Sequence, residues 1–260
     1  MIELEALEKE IAKLNTGIDG IGDKLVSAIT LYQLRYEKLL LEQNFDLDNG
    51  RFKPTLFNYN KVQSINPMQQ LGFNTLAANH FKVYDDMPKQ QLAFNKRIGV
   101  GLDLSFNDAT LVNRLRDIDL GSMYGYGKEL DNLIKKELVN SIALQADYRL
   151  TVKQLAKNLL GSGIKDGKLA KYAETYMRTS LFGLSRLIDK QIYDDSGIDI
   201  KEYRYVGALD NKTRPFCLAH LGKKYTPKQI VQFPIQNGSG LNGYFAPGGY
   251  NCRHRLIPVI

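Results

Sequence analysis

At about Asp199 the chain changes character, and that break constrains the fold more than any motif. Before it, apolar residues recur at helical spacing over long stretches. After it, five of the eight prolines and seven glycines crowd into residues 201–260. Proline and glycine at that density interrupt long helices. The expected class is therefore α+β: a mainly helical N-terminal region, with a long first helix, followed by a small basic α+β module.

Within the helical part, Leu4, Leu7, Ile11, Leu14, Ile18, Ile21, Leu25, Ala28 and Tyr32 step alternately by three and four. That is a heptad seam, and it predicts a long helix to about residue 43. Two readings stay open: a coiled-coil segment for self-association or docking on a partner's helices, and an ordinary bundle helix. Gly17, Gly20 and Gly22 each cost about 1 kcal/mol relative to Ala, so a weakening or kink is expected near Thr16–Gly22. Residues 44–66, with Asp48-Asn49-Gly50 and Pro54, read as a loop or linker. Residues 67–200 read as a helical body. Helices are expected at Met68–Lys82, Asp108–Asp117, Lys128–Asp147, Thr151–Leu160 and Asp166–Tyr193, with Thr151 as an N-cap and Gly161-Ser162-Gly163 as a stop. In the tail, Tyr203–Leu209 and Leu256–Val259 read as strands. Pro227–Val231 reads as a helical turn capped by Thr226.

Charge divides at the same place. Residues 201–260 carry nine Lys or Arg against Glu202 and Asp210, a net of +7, which equals the net charge of the whole chain. The preceding 200 residues are balanced. A basic module on a neutral body suits nucleic acid or an acidic protein surface, or is simply a solvated face. No apolar run is long enough for a membrane span. The acidic start Met1-Ile2-Glu3-Leu4-Glu5 lacks the order of a signal peptide, so synthesis in a cytoplasm is expected. Two cysteines make no disulfide scaffold in a chain of 260 residues.

Three stretches then fall in a familiar order. Lys171-Tyr172-Ala173-Glu174-Thr175-Tyr176-Met177-Arg178-Thr179-Ser180 ends a helical run on an Arg-Thr pair. Tyr203-Arg204-Tyr205-Val206-Gly207-Ala208-Leu209 leads into Asp210-Asn211-Lys212-Thr213-Arg214-Pro215-Phe216-Cys217 and on to His220 and Gly222. Pro247-Gly248-Gly249-Tyr250-Asn251-Cys252-Arg253-His254 comes last. In order and spacing this resembles the phage minor head protein family, whose C-terminal part is the Mu F-like head-morphogenesis domain. The resemblance covers about residues 150–260 and rests on Arg178, Thr179, Asp210, Thr213, Gly222 and Pro247 as structural motif positions. The chain departs from the pattern at Ser180, where the family has Glu, at Lys212, where Arg is usual, and at His254, where the closing motif has a second Cys.

The resemblance implies a structural minor virion protein of a tailed phage or prophage. Such a protein would be made in the host cytoplasm and assist capsid assembly at or near the portal. Its partners would be the portal and other capsid proteins, together with packaged DNA. It does not imply an enzyme. The alternatives are a phage-carried nucleic-acid-processing enzyme or toxin domain, with Asp210, His220 and His254 as its site, and a cytoplasmic nucleic-acid-binding regulator. No nucleophile stands at readable spacing from a base, and no acidic metal cluster is evident.

The residues of the tail allow two further readings. Cys217, His220, Cys252 and His254 supply four zinc-competent donors, enough for a structural zinc. The first pair has suitable spacing. The second converges only in a turn or bulge, since residues one apart on a strand face opposite sides. The competing reading is a metal-free module with two small buried thiols. Lys212, Arg214, Lys223, Lys224, Lys228, Arg253 and Arg255 interleave with aromatic residues, as in nonspecific contact with nucleic-acid backbone or with an acidic partner.

Overall fold

A computed structural model describes residues 4–100, 109–160 and 168–259. It is mainly helical, with a long N-terminal helix and small antiparallel sheets, which is the α+β class expected. Helix α1 spans Leu4–Leu41 and is followed by the short hairpin β1 (Leu47–Asp48) and β2 (Arg51–Phe52). Helices α2 (Leu56–Ser64), α3 (Pro67–Gln70) and α4 (Phe73–Phe81) come next, and a 3-10 turn at Lys82–Asp85 leads to α5 (Met87–Arg97). Then follow α6 (Ala109–Ala143), α7 (Tyr148–Leu160) and α8 (Lys168–Asp195). The tail contains β3 (Tyr203–Val206), α9 (Pro215–His220), β4 (Lys224–Tyr225), α10 (Pro227–Ile230), α11 (Phe233–Gln236) and β5 (Arg255–Pro258). The expected stop at Gly161–Gly163 lies outside the described residues.

Compact packing divides the chain into two units, not at residues 43, 66 and 200. One unit comprises Met1–Gly22, Lys82–Arg116 and Thr175–Ile260; the other comprises Asp23–Phe81 and Asp117–Glu174. Residues 201–260 therefore do not stand as a module by themselves but belong to the first unit.

In the second unit, the segment expected to be a loop forms a hairpin and a helix. Asn49 and Gly50 both have positive φ (48° and 81°), the backbone that a two-residue turn between β1 and β2 requires. Asn58 fixes this corner from α2. Its side chain accepts from the Asp46 N–H at 2.8 Å and donates to the carbonyls of Asp46 and Lys53 at 2.8 and 2.7 Å. Phe45, Phe52 and Tyr148 pack edge to face with centroids 5.1–5.4 Å apart. Two helices expected at Asp108–Asp117 and Lys128–Asp147 are one, α6, and Asp108 lies outside the described residues. Gly127 lets the Phe73 ring lie where a Cβ would come within 2.8 Å of it. Thr151 is not the cap of α7. Asp147 is, accepting from the Leu150 N–H at 2.8 Å.

In the first unit, β3 pairs antiparallel with β4 and with β5, giving the order β4-β3-β5. Leu7, Ile11, Leu14 and Ile18 of the α1 seam are buried, as are Leu181, Phe182, Leu184, Ile188 and Ile192 of α8. The helix runs unbroken through Gly17, Gly20 and Gly22. The side chains of Leu4, Leu25, Ala28 and Tyr32 lie outside the described residues. Self-association through residues 1–43 would have to use side chains other than Leu7, Ile11, Leu14 and Ile18.

Candidate metal centre

Each chemical group of the tail is placed by local backbone physics. In β3, Tyr203 and Tyr205 are buried on alternate positions with Arg204 half-buried between them. Beyond β3 the chain turns on Asp210 and Thr213. The Asp210 carboxylate accepts from the Lys212 N–H, and the Thr213 hydroxyl accepts from the Asp210 N–H, each at 2.9 Å. Pro215 then opens α9, which buries Cys217. At the other end, Gly249 and Asn251 adopt positive φ (84° and 54°), and this turn releases Cys252 and His254 ahead of β5. The Asn251 N–H donates to Thr179 Oγ1 at 3.0 Å, joining this turn to α8.

The result is a buried convergence. One donor atom each from Cys217, Cys252 and His254 lies within 4.8 Å of the others, a group that could hold a metal ion. His254 Nδ1 is 3.9 Å from Cys252 Sγ, and Tyr205 Oη is 3.8 Å from the same sulfur. Because Cys252 precedes the strand, the alternation that would separate it from His254 does not apply. Gly248 makes the space. A Cβ there would lie 2.5 Å from Cys217 Sγ, 2.8 Å from Cys252 Sγ and 2.9 Å from Tyr205 Oη. His254 Nε2 is buried without a hydrogen-bond partner.

Electrostatics favour one negative sulfur here. The hydrogen bond with Cys252, reinforced by burial, pushes the Cys217 thiol up. Burial also opposes charge on Cys252, but hydrogen bonds from Cys217 and His254 and the nearby Arg186 charge outweigh it and hold that thiol well below its usual range. Burial, then the two sulfurs, push the Tyr205 phenol far up. Two soft sulfurs and an imidazole suit zinc-like cations and are three of the four donors that a structural zinc takes.

Arg186, a residue that no tail motif signals, holds the Cys252 segment in place. Its guanidinium donates to the Phe245 carbonyl at 2.5 Å and to the Cys252 carbonyl, and burial brings its pKa down to about 10. Arg255 from β5 enters a second buried network on α8. It pairs with Asp189 at 2.8 Å and donates to Ser185 Oγ at 2.7 Å, while Asn95 of α5 donates to Asp189 at 2.7 Å. Burial pushes Asp189 up to about 6 against the pull of Arg255.

Several expected site residues fall elsewhere. His220 is not in the sulfur group: its Nδ1 lies 2.7 Å from the Phe216 carbonyl oxygen and its ring stacks on Phe216. The reason is that α9 turns the side chain back on its own first turn. Arg255 is no contact residue, being only 1% exposed. Arg253 bonds Asp210 at 2.6 Å, which holds that carboxyl well below the usual range. Lys212, Arg214, Lys223, Lys224 and Lys228 are exposed, with Lys224 3.7 Å from Glu202. Arg178 pairs with Asp19 at 3.4 Å. Gly222 takes φ 77° and donates its N–H to Tyr205. The buried Pro247 accepts from Asn237 at 3.2 Å. Among the described residues, no hydrogen bond joins Asp210, His220 and His254 into a catalytic set.

The second unit carries a polar groove of about 490 Å³, lined by Asn66, Asn74, Tyr124, Lys128, Asp131 and Lys135 among others. Its one carboxylate, Asp131, accepts from the Met68 N–H at 2.7 Å. No protein-family model matches the chain, and neither a curated protein nor a solved structure matches it.

Proposed function

We propose that the chain is a structural minor head protein of a tailed phage or prophage, acting in capsid assembly at or near the portal. One observation carries this reading. The three stretches that resemble the family, far apart in sequence, meet in the fold: the Thr179 hydroxyl with the Asn251 N–H, and the side chains of Asp210 with Arg253 and of Cys217 with Cys252. Their contact supports reading them as parts of one motif. In this reading the Cys217–Cys252–His254 group is a structural zinc site that ties α9 to the turn before β5, and no catalytic step is assigned to it. The exposed Lys212, Arg214, Lys223, Lys224 and Lys228 are the cations that meet packaged DNA or an acidic head protein.

The experiment is to purify particles from the phage or induced prophage that encodes the chain and quantify it by mass spectrometry beside portal and major capsid protein. The expected result is a few copies per particle, and fewer DNA-filled heads when the gene is deleted. Absence from purified particles, with head yield unchanged by the deletion, would overturn the reading.

A further inference from the structure

We propose that Cys217 and Cys252 form an oxidation site at which a peroxide joins the two sulfurs as a disulfide and expels the metal they hold with His254. The inference rests on the zinc reading of this group and adds a second state to it. Its basis is geometric. The two sulfurs lie within 4.8 Å of each other, and a disulfide needs them about 2 Å apart. Gly248 presents no side chain to either sulfur, where a Cβ would lie 2.5 and 2.8 Å from them.

The surroundings suit such a closure. Cys252 sits in irregular backbone between the turn at Asn251 and β5, so no strand ladder fixes its torsion angles. Arg186 grips its carbonyl, which anchors the main chain while the side chain moves. Cys217 lies on a six-residue helix and is itself buried, as Cys252 is, so the oxidant reaches the sulfurs when this segment opens. Neither cysteine has another cysteine to choose, because the chain holds only these two.

The chemistry balances with hydrogen peroxide as the named oxidant. One thiolate sulfur attacks a peroxide oxygen, the O–O bond breaks, and a sulfenic acid and hydroxide result. The second thiolate displaces the sulfenic oxygen as a second hydroxide, and the S–S bond forms. The sulfurs lose two electrons in total, two solvent protons convert the hydroxides to water, and the cation leaves with its charge. Both states tie α9 to the turn before β5. The tie therefore persists from a reducing cytoplasm, where thiolates bind metal, to oxidising surroundings, where a disulfide endures.

The test uses the full chain, purified anaerobically without chelator. Its zinc is measured by mass spectrometry before one equivalent of hydrogen peroxide is added. Released zinc is followed with a chromogenic chelator and free thiols by alkylation and intact mass. The expected result is about one zinc per chain at the start. It leaves in step with both thiols, the chain loses the mass of two hydrogens, and thiol reductant with zinc reverses the change. Cys217→Ser and Cys252→Ser each form no intramolecular bridge. A chain that holds zinc but keeps both thiols, or gains oxygen mass in place of losing hydrogen, overturns the exchange and leaves the zinc reading intact. A chain without zinc overturns both, whichever way its thiols react.

Discussion

A guanidinium as deeply buried as that of Arg255 persists only beside a carboxylate and enough polar atoms to occupy its donors. Asp189, Ser185 and Gln91 provide these for the two terminal nitrogens, Nε is left without a hydrogen-bond partner, and the cation also lies 5.0 Å from the centre of the Phe94 ring. Arg255→Ala strands the Asp189 carboxylate, so it should cost about 3–5 kcal/mol in urea unfolding. Asp189 gives a separate signature in pH. Its pKa is about 6 in the folded protein, against about 3.9 unfolded. The folded state thus prefers the protonated acid, a contribution complete below about pH 4 and lost as pH rises through 6. The melting temperature of the native chain should therefore fall relative to Asp189→Asn between pH 4 and 7; a constant difference would show that Asp189 does not titrate there. Gly248→Ala tests the sulfur pocket, because its Cβ meets two sulfurs and a phenol at under 3 Å. It should destabilise the chain by about 1–3 kcal/mol and lower metal content. At this scale the sequence was half legible. Cysteine and histidine types marked the site, but Arg255 looked like a surface cation because its partner Asp189 lies on a distant helix. His220 matched a ligand spacing that a six-residue helix then turned away.

Elements were legible where apolar periodicity was clean and hidden where the core is polar. The helical spacing over Asp166–Tyr193 marked α8 plainly. By contrast α5 buries Gln91 and Asn95 together with Met87 and Phe94, so no apolar stripe announced it. The α6 helix read as two because Gly121, Gly125 and Gly127 broke the pattern, although Gly127 is there to admit Phe73. The β1–β2 hairpin showed its Asn-Gly turn but not its strands, which at two residues each are too short for alternation to register. Asn58, not strand length, holds that corner. Asn58→Ala removes three hydrogen bonds and leaves the Asp46 N–H without its partner, while the Asp46 and Lys53 carbonyls keep the N–H groups of Lys53 and Thr55, so the cost should be about 1–3 kcal/mol. The change should lower the urea midpoint and speed hydrogen exchange at Asp46. Unaltered exchange there would mean that the β1–β2 ladder alone fixes the hairpin.

For the whole molecule, the division into units could not be read along the chain, because each is assembled from separated segments. Local patterns carry no record of which distant segments meet. The charge division was legible, and the fold refines it by removing cations from the surface. Of the seven basic residues proposed for contact, Arg255 is buried and Arg253 is tied to Asp210, which leaves Lys212, Arg214, Lys223, Lys224 and Lys228 exposed. Five cations meeting phosphates set an upper bound on the salt dependence of DNA binding. The slope of log K against log salt should be no steeper than about −4.5. Binding should be weak and indifferent to sequence, with a dissociation constant of about 10⁻⁴–10⁻⁶ M at physiological salt. Neutralising Lys212, Lys223, Lys224 and Lys228 to Gln in the full chain should flatten the slope by about one per residue that contacts phosphate. Fluorescence anisotropy with two unrelated duplexes across a salt series measures both quantities. A slope unchanged by the four substitutions would place DNA contact elsewhere on the chain. Loss of all retention at low salt by the native protein would instead assign these cations to an acidic head protein, since exposed cations without phosphate affinity still attract carboxylate surfaces.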